Sequence, residues 1–122
     1  MKISLDLDGT LWHHQAFFRS FMRAMQEQGH KVGILTSHKV IHRDADLALL
    51  EKRGFPEPDF YIGRPLDGGV DYMALKSVAI QNHGIDIHFE DGDADKLRKV
   101  MGREAYKVIS VMPRGREDEH FE

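Results

Sequence analysis

Short apolar runs alternate with longer segments of helical periodicity along the whole chain. The runs predict strands: a first strand that stops at Gly9, then Lys31–Ser37, Asp59–Ile62, Ile85–Phe89 and Tyr106–Met112. Helices are predicted between them, over Gln15–Gln28, from Asp44 or Asp46 to Arg53, from an N-cap at Asp71 to Gly84, and over Lys96–Met101. This alternation predicts an α/β fold, a three-layer sandwich whose five-stranded parallel sheet is covered on both faces through right-handed crossovers.

Two of the predicted helices carry apolar stripes that we expect to pack against the sheet. Their apolar residues recur at three- and four-residue spacing: Phe17, Phe18, Phe21, Met22 and Met25 in one, and Met73, Leu75, Val78, Ala79 and Ile80 in the other. The segment from His38 to Arg43 lacks this pattern and is predicted to be a loop. Residues 113–122 are charged and aperiodic, so we expect this tail to fray.

Length, charge and cysteine content narrow the class of protein. The chain has 122 residues, which fits one domain over residues 1–122. A net charge of −3 does not favour nucleic acid as a partner, and the absence of cysteine rules out disulfides and cysteine–zinc sites. The chain begins with a predicted core strand rather than a signal peptide, and no apolar run has the length of a membrane span. We therefore expect a cytoplasmic protein without a membrane partner.

Two carboxylates follow the first predicted strand directly. Asp6 and Asp8 precede Gly9 and Thr10, so both side chains can reach the crevice beyond the carboxyl end of the strand. Open α/β sheets bind their ligands in this crevice. Carboxylates this close repel each other unless a cation or a proton relieves them, which indicates a metal site or an acid–base pair.

The stretch Asp6-Leu7-Asp8-Gly9-Thr10 resembles the DxDGT signature of the haloacid dehalogenase (HAD) superfamily, whose members are mostly magnesium-dependent phosphatases. Three later elements of that family occur here in the same order. Thr36 ends the second apolar strand, with Ser37 as its alternative, and Lys76 lies early in the helix before the fourth strand. Asp91 and Asp95 have the spacing of the acidic pair that follows this strand, with Glu90 where the family often has glycine.

The resemblance implies a strand order of 5-4-1-2-3 and a phosphatase mechanism. Members of the family often carry a cap domain after the first motif or between the second and third, but neither gap has room for one here, so we expect a capless member. Asp6 would attack phosphorus to give an aspartyl-phosphate, and Asp8 would act as acid and then base. Mg²⁺ would be held by the carboxylates of Asp6 and Asp91 and the backbone carbonyl of Asp8, with Asp93 as an alternative ligand. The remaining implied site residues are Thr36 and Lys76 on the phosphoryl oxygens, Asp95 orienting Lys76 or a metal-bound water, and Gly9, Thr10 and Ser37 beside the substrate.

The sequence leaves the substrate open between a phosphorylated small molecule and a macromolecule. The loops that could select it contain Trp12, His13, His14, His38 and Arg64, whose roles are undecided. A phosphotransferase, a nucleic-acid end phosphatase and a non-catalytic binding module with the same fold are the alternative functions. A capless cleft can also be covered by a second subunit, as in a homo-oligomer.

Overall fold

Five parallel strands form one sheet in the computed structural model, which describes residues 1–67, 69 and 71–112. The strands are β1 (Lys2–Leu5), β2 (Lys31–Lys39), β3 (Tyr61–Arg64), β4 (Ile87–Glu90) and β5 (Val108–Ser110). Their order across the sheet is β3-β2-β1-β4-β5, so β1 is central and pairs with both β2 and β4. The predicted α/β class, the parallel sheet and its strand order are therefore confirmed.

In the described part of the chain, four α-helices cover the two faces of this sheet. They are α1 (Gln15–Glu27), α2 (Arg43–Lys52), α3 (Tyr72–Asn82) and α4 (Ala94–Met101). The predicted N-cap of α3 is confirmed, because the Asp71 carboxylate accepts a hydrogen bond from the Ala74 N–H at 3.1 Å. Side chains of α1 and α2 share one apolar core with the sheet, whereas those of α3 and α4 share the other.

The alternation of side chains along the strands supplies both cores. Ile34 and Leu35 are consecutive residues of β2, and they enter opposite cores because successive strand side chains point to opposite faces. In the same way Phe89 packs with Phe18 of α1, while its neighbours in β4 face the other side of the sheet. The face that carries α3 and α4 also contains buried polar residues of β1 and β4, namely Ser4, His88 and Glu90.

Two residues of the predicted apolar stripes are exposed to solvent. Phe17 is 59 % exposed and stacks on Phe21 at the flank of α1, since consecutive helical residues lie about 100° apart and Phe18 takes the buried position. Val78 is 51 % exposed because the buried side of α3 carries Lys76, Ser77 and Ile80. The inward prediction was wrong for both residues.

Strand β2 is longer than predicted. It continues to Lys39, which pairs with Arg64 of β3 after a register shift, and a 3₁₀ turn over Val40–His42 leads into α2 at Arg43. The prediction of a loop from His38 to Arg43 was therefore wrong. Within the described residues, the connections between β1 and α3 contain α1, α2 and β3 and no separate cap domain. None of the described helices is long and apolar enough to cross a bilayer. The predicted fraying of residues 113–122 lies outside the described residues.

Candidate functional site

The carboxyl ends of β1 and β4 lie side by side and carry the most concentrated polar cluster of the described chain. Asp6 follows β1, Glu90 ends β4 and Asp91 comes next. These three residues each place a carboxylate oxygen within 4.8 Å of the other two. The adjacency of the strands produces this cluster, because Leu5 and Phe89 are register partners and the Asp6 N–H donates to the Phe89 carbonyl at 3.1 Å.

Lys76 reaches this cluster from α3 and contacts two of its carboxylates. Its Nζ lies 3.0 Å from Asp6 Oδ1 and 2.6 Å from Glu90 Oε1, and all three side chains are buried. Burial alone would lower the pKa of Lys76, but the two carboxylates raise it above its ordinary value. The side chain is therefore a buried ammonium ion shared by two acids.

The surroundings of Asp6 disfavour the ionised form of its carboxyl group. Burial raises the pKa of its carboxyl to about 7, and Lys76 opposes this rise while Glu90 adds to it. Thr10 donates a hydrogen bond of 3.3 Å to Asp6 Oδ2, so both carboxylate oxygens have donors. Further positive charge at this point would keep Asp6 ionised at neutral pH.

Gly9 allows Asp91 to approach the end of β1. Its φ is +76°, and a Cβ at this position would collide with the Asp91 carboxylate. The Asp93 N–H donates to Asp91 Oδ1 at 3.1 Å and orients that carboxylate from the other side. Glycine is thus required both for the left-handed backbone and for the space that Asp91 occupies.

The donor set suits a hard divalent cation. Mg²⁺ prefers oxygen ligands and is commonly bound through one or two carboxylates together with phosphate and water. Glu90 Oε1 is already used by Lys76 and by His88, whose Nε2 lies 3.0 Å away. All three carboxylates lie close enough together to hold such a cation, and Asp6 and Asp91 are the two that the sequence predicts as its ligands.

A buried chain of polar residues continues beneath Glu90. His88 is fully buried, and its Nδ1 lies 2.7 Å from Ser4 Oγ on the adjacent strand. Burial, together with the nearby Lys76 ammonium, lowers the pKa of His88 to about 3. The imidazole is therefore neutral at neutral pH.

A second polar chain lies at the exposed rim of the site. His38 Nε2 bonds to Asp8 Oδ2 at 2.7 Å, and its Nδ1 bonds to Asp46 Oδ2 at 2.9 Å. The hydrogen bond to Asp8 raises the pKa of His38 to about 9, with Asp46 adding to this rise and burial opposing it. Asp46 also accepts the hydroxyl of Tyr61, and that bond together with burial raises the pKa of Tyr61. The Asp8 side chain is 68 % exposed.

Thr36 and Ser37 lie at the end of a cavity between β3 and α3. This cavity has a volume of about 270 Å³ and is also lined by Lys76. Thr36 is buried, and its Oγ1 accepts the His38 N–H at 3.2 Å, which still allows the hydroxyl to donate. The Ser37 carbonyl accepts from Arg64 Nε at 3.2 Å. Arg64 in turn lies over the Tyr72 ring, with 4.8 Å between the guanidinium carbon and the ring centroid.

The structure brings together Asp6, Thr10, Lys76 and Asp91, but it does not place Asp95 with them. The prediction that Asp95 orients Lys76 was wrong, and its alternative, that Asp95 orients a metal-bound water, stays a prediction. The Asp95 carboxylate is 89 % exposed and pairs with Arg98 one turn along α4, while Glu90 contacts Lys76 instead. Asp93 is also at the surface, 3.9 Å from Lys96.

Sequence reasoning assigned no role to His88 and Ser4 and missed the part that Glu90 takes. The signal was present in β4, where His88 and Glu90 are two residues apart and therefore share a face of a buried strand. The sequence does not decide the role of His38, because the predicted second strand ends at Ser37. His14 has a structural contact, donating from Nε2 to the Met112 carbonyl at 2.7 Å.

Comparisons with protein-family models, curated proteins and solved structures give no match for this chain.

Proposed function

We propose that this chain is a magnesium-dependent phosphomonoester hydrolase of the HAD superfamily, with Asp6 as its nucleophile. The observation that carries the proposal is the Lys76 ammonium 3.0 Å from Asp6, in a crevice that also contains Asp91. A carboxylate that attacks a phosphoryl group needs nearby positive charge, because both reactants are anions. The crevice lies beyond the carboxyl ends of central parallel strands, where α/β sheets bind ligands.

The arrangement along the chain supports the same reaction class. Asp6 and Asp91 come just after the ends of β1 and β4, Thr36 lies in the neighbouring β2 three residues before its end, and Lys76 enters from the helix that precedes β4. This is the order of the DxDGT-type motifs noted in the sequence. A non-catalytic module would have no need for a buried nucleophile and its counterion at one strand end.

Asp6 and Asp91 would hold the magnesium ion, together with the backbone carbonyl of Asp8. The ion, when bound, would supply a Lewis acid that neutralises charge on the phosphoryl group. Lys76 performs a similar neutralisation from the protein side. The Thr36 hydroxyl and the backbone N–H at Gly9 would donate hydrogen bonds to phosphoryl oxygens and orient them.

In the first chemical step, a carboxylate oxygen of Asp6 attacks phosphorus in line. A P–O bond to Asp6 forms while the P–O bond to the leaving group breaks, and the leaving oxygen takes a proton from Asp8, which receives it from the protonated His38 across their 2.7 Å hydrogen bond. The products of this step are the free alcohol and an aspartyl-phosphate on Asp6. The Asp8 side chain lies at the exposed rim of the site.

In the second step, water hydrolyses the aspartyl-phosphate. Asp8, now a carboxylate, takes a proton from the water as its oxygen attacks phosphorus. The P–O bond to Asp6 breaks, and inorganic phosphate and the original Asp6 carboxylate are regenerated. The Lys76 ammonium stabilises Asp6 as the leaving group of this step, because it already donates to that carboxylate.

The proposal is tested by phosphate release from p-nitrophenyl phosphate and from a panel of nucleotides, sugar phosphates and phosphorylated nucleic-acid ends. Wild-type protein with Mg²⁺ is expected to turn over at least one of these, and EDTA is expected to stop it. Asp6→Asn should abolish turnover, whereas Asp44→Asn, which changes an exposed carboxylate of α2, should not. Equal activity of wild type and Asp6→Asn, or no activity on any substrate, would refute the proposal.

A further inference from the structure

The buried chain Ser4–His88–Glu90 ends on the Lys76 ammonium and connects it to the interior of the sheet. The successive distances are 2.7 Å from Ser4 Oγ to His88 Nδ1, 3.0 Å from His88 Nε2 to Glu90 Oε1 and 2.6 Å from Glu90 Oε1 to Lys76 Nζ. Ser4 and His88 have no exposed surface, and Glu90 is 1 % exposed. Buried polar groups of this kind contribute stability only when each is satisfied, so their placement is strongly constrained.

The hydrogen bonds define the tautomer of His88. Glu90 Oε1 is an acceptor, so His88 Nε2 must carry the hydrogen that joins them. A neutral imidazole has a single N–H, which leaves Nδ1 as a bare acceptor. The Ser4 hydroxyl therefore donates to Nδ1, and this bond favours the tautomer in which His88 donates to Glu90.

Glu90 Oε1 thus accepts two hydrogen bonds from different directions. One comes from His88 on the same strand, and the other comes from Lys76 on α3. The His88 N–H also interacts with the negative charge of the Glu90 carboxylate. Glu90 therefore attracts the Lys76 ammonium less strongly than it would if Lys76 were its sole donor. Lys76 can then divide its donors between Glu90 and Asp6, and its third N–H can serve a phosphoryl oxygen.

We propose that His88 and Ser4 are positioning residues for Lys76, acting by fixing the Glu90 carboxylate that shares the ammonium with Asp6. This inference rests on the proposed hydrolase function, since Lys76 is assigned there to the phosphoryl group and to Asp6. Neither residue touches the reacting atoms. Their effect is on the place and direction of an ammonium that must meet the phosphoryl group within a fraction of an ångström.

The decisive comparison uses two substitutions of similar size at His88. His88→Leu removes the donor to Glu90, whereas His88→Gln keeps an N–H near the position of Nε2. With p-nitrophenyl phosphate and Mg²⁺, His88→Leu is expected to lower kcat about 10- to 100-fold with KM nearly unchanged. His88→Gln should recover most of this loss. Ser4→Ala should cause a smaller fall than His88→Leu, while Ser77→Ala, which removes another buried hydroxyl, should leave kcat unchanged.

A spectroscopic measurement checks the same inference without any substrate. Nitrogen-15 NMR of the His88 ring in the wild-type protein should show a neutral imidazole protonated at Nε2, and in Ser4→Ala a detectable population of the other tautomer. Circular dichroism establishes whether each variant is folded. If His88→Leu does not fold, the Ser4→Ala kinetics and the ring tautomer still decide the question.

The outcomes separate the two proposals. An active wild type whose His88→Leu and His88→Gln variants have equal kcat would overturn the positioning role and leave the hydrolase function intact. A wild-type His88 protonated at Nδ1 would overturn it as well. A wild type that releases phosphate from no ester would refute the hydrolase function, and with it any role of His88 in that reaction.

Discussion

Lys76 and Asp6 are 70 residues apart in the sequence, yet the ammonium of one lies 3.0 Å from the carboxylate of the other in the protein interior. Glu90, at the end of the neighbouring strand β4, lies 2.6 Å from the same ammonium. When both acids are ionised, these two buried acids and one base form a unit that carries a net negative charge. Removing any member therefore changes both the stability of the protein and its proposed chemistry.

Lys76→Met tests this unit. The substitution leaves Asp6 and Glu90 buried without their counterion, and breaking a buried pair in this way costs about 3–5 kcal/mol of unfolding free energy. Urea unfolding at pH 7 should report this loss. Adding Glu90→Gln to Lys76→Met should recover part of it, because one of the two uncompensated charges is removed. Additive effects of the two substitutions would contradict the proposed coupling.

Gly9→Ala tests the approach of Asp91 to β1. The added Cβ collides with the Asp91 carboxylate, and the positive φ of Gly9 is unfavourable for alanine by about 1–2 kcal/mol. Gly29→Ala is the matched control, since Gly29 also has a positive φ but nothing lies within 4 Å of the added Cβ. Both variants should lose unfolding free energy through the positive φ, and Gly9→Ala should lose more because of the collision with Asp91. Gly9→Ala alone should require more Mg²⁺ for half-maximal phosphate release.

The protonation of His88 predicts a specific loss of stability in acid. Its pKa is about 3 in the folded protein and 6.5 in an ordinary environment, so below pH 6.5 the unfolded chain binds a proton that the folded protein does not. Stability must then fall as the pH falls from 6.5 towards 3, and above pH 6.5 this residue adds no pH dependence. By pH 5 the loss is about 2 kcal/mol.

The measurement for His88 is a comparison of urea unfolding between wild type and His88→Gln at pH 7 and at pH 5. Other titrating groups are common to both proteins and largely cancel in the difference. The advantage of wild type over His88→Gln should shrink by about 2 kcal/mol on acidification. An advantage that stays constant or grows would show that His88 is not held neutral.

Asp8→Asn separates the two steps of the proposed reaction. A poor leaving group needs the proton of Asp8, so hydrolysis of an alkyl phosphate should fall by about 10²–10⁴-fold. The p-nitrophenolate group leaves without a proton, so the first step on p-nitrophenyl phosphate should persist. Rapid-mixing experiments should then show a burst of p-nitrophenol followed by slow turnover. Equal losses for both substrates and no burst would argue against the acid–base role.

The parts of this molecule that follow local patterns could be predicted from the sequence. Alternation located the strands, and the residues at their ends identified Asp6 and Asp91 because a parallel sheet collects those ends at one edge. Asp71 was recognisable as a helix cap from its position alone. Such features depend on a few neighbouring residues and on the class of fold.

The partner of Lys76 could not be predicted in this way. Asp95 has the expected spacing from Asp91, but it lies in the first turn of α4, where its direction is set by the helix and leads to Arg98. Glu90 meets Lys76 because β4 turns every second residue towards α3. Deciding between these acids requires the packing of α3 on the sheet, which involves residues distant in the sequence.

The alternation within β4 has a further consequence for how the sheet assembles. Phe89 packs against Phe18 on one side of the sheet, whereas His88 and Glu90 meet Ser4 and Lys76 on the other. A slip of β4 by one residue against β1 would bury an imidazole and a carboxylate among aromatic rings and expose Phe89 to the polar side. Misaligned pairing is thereby destabilised on both faces at once. The residues of the proposed site therefore also favour the native register of the strands during folding.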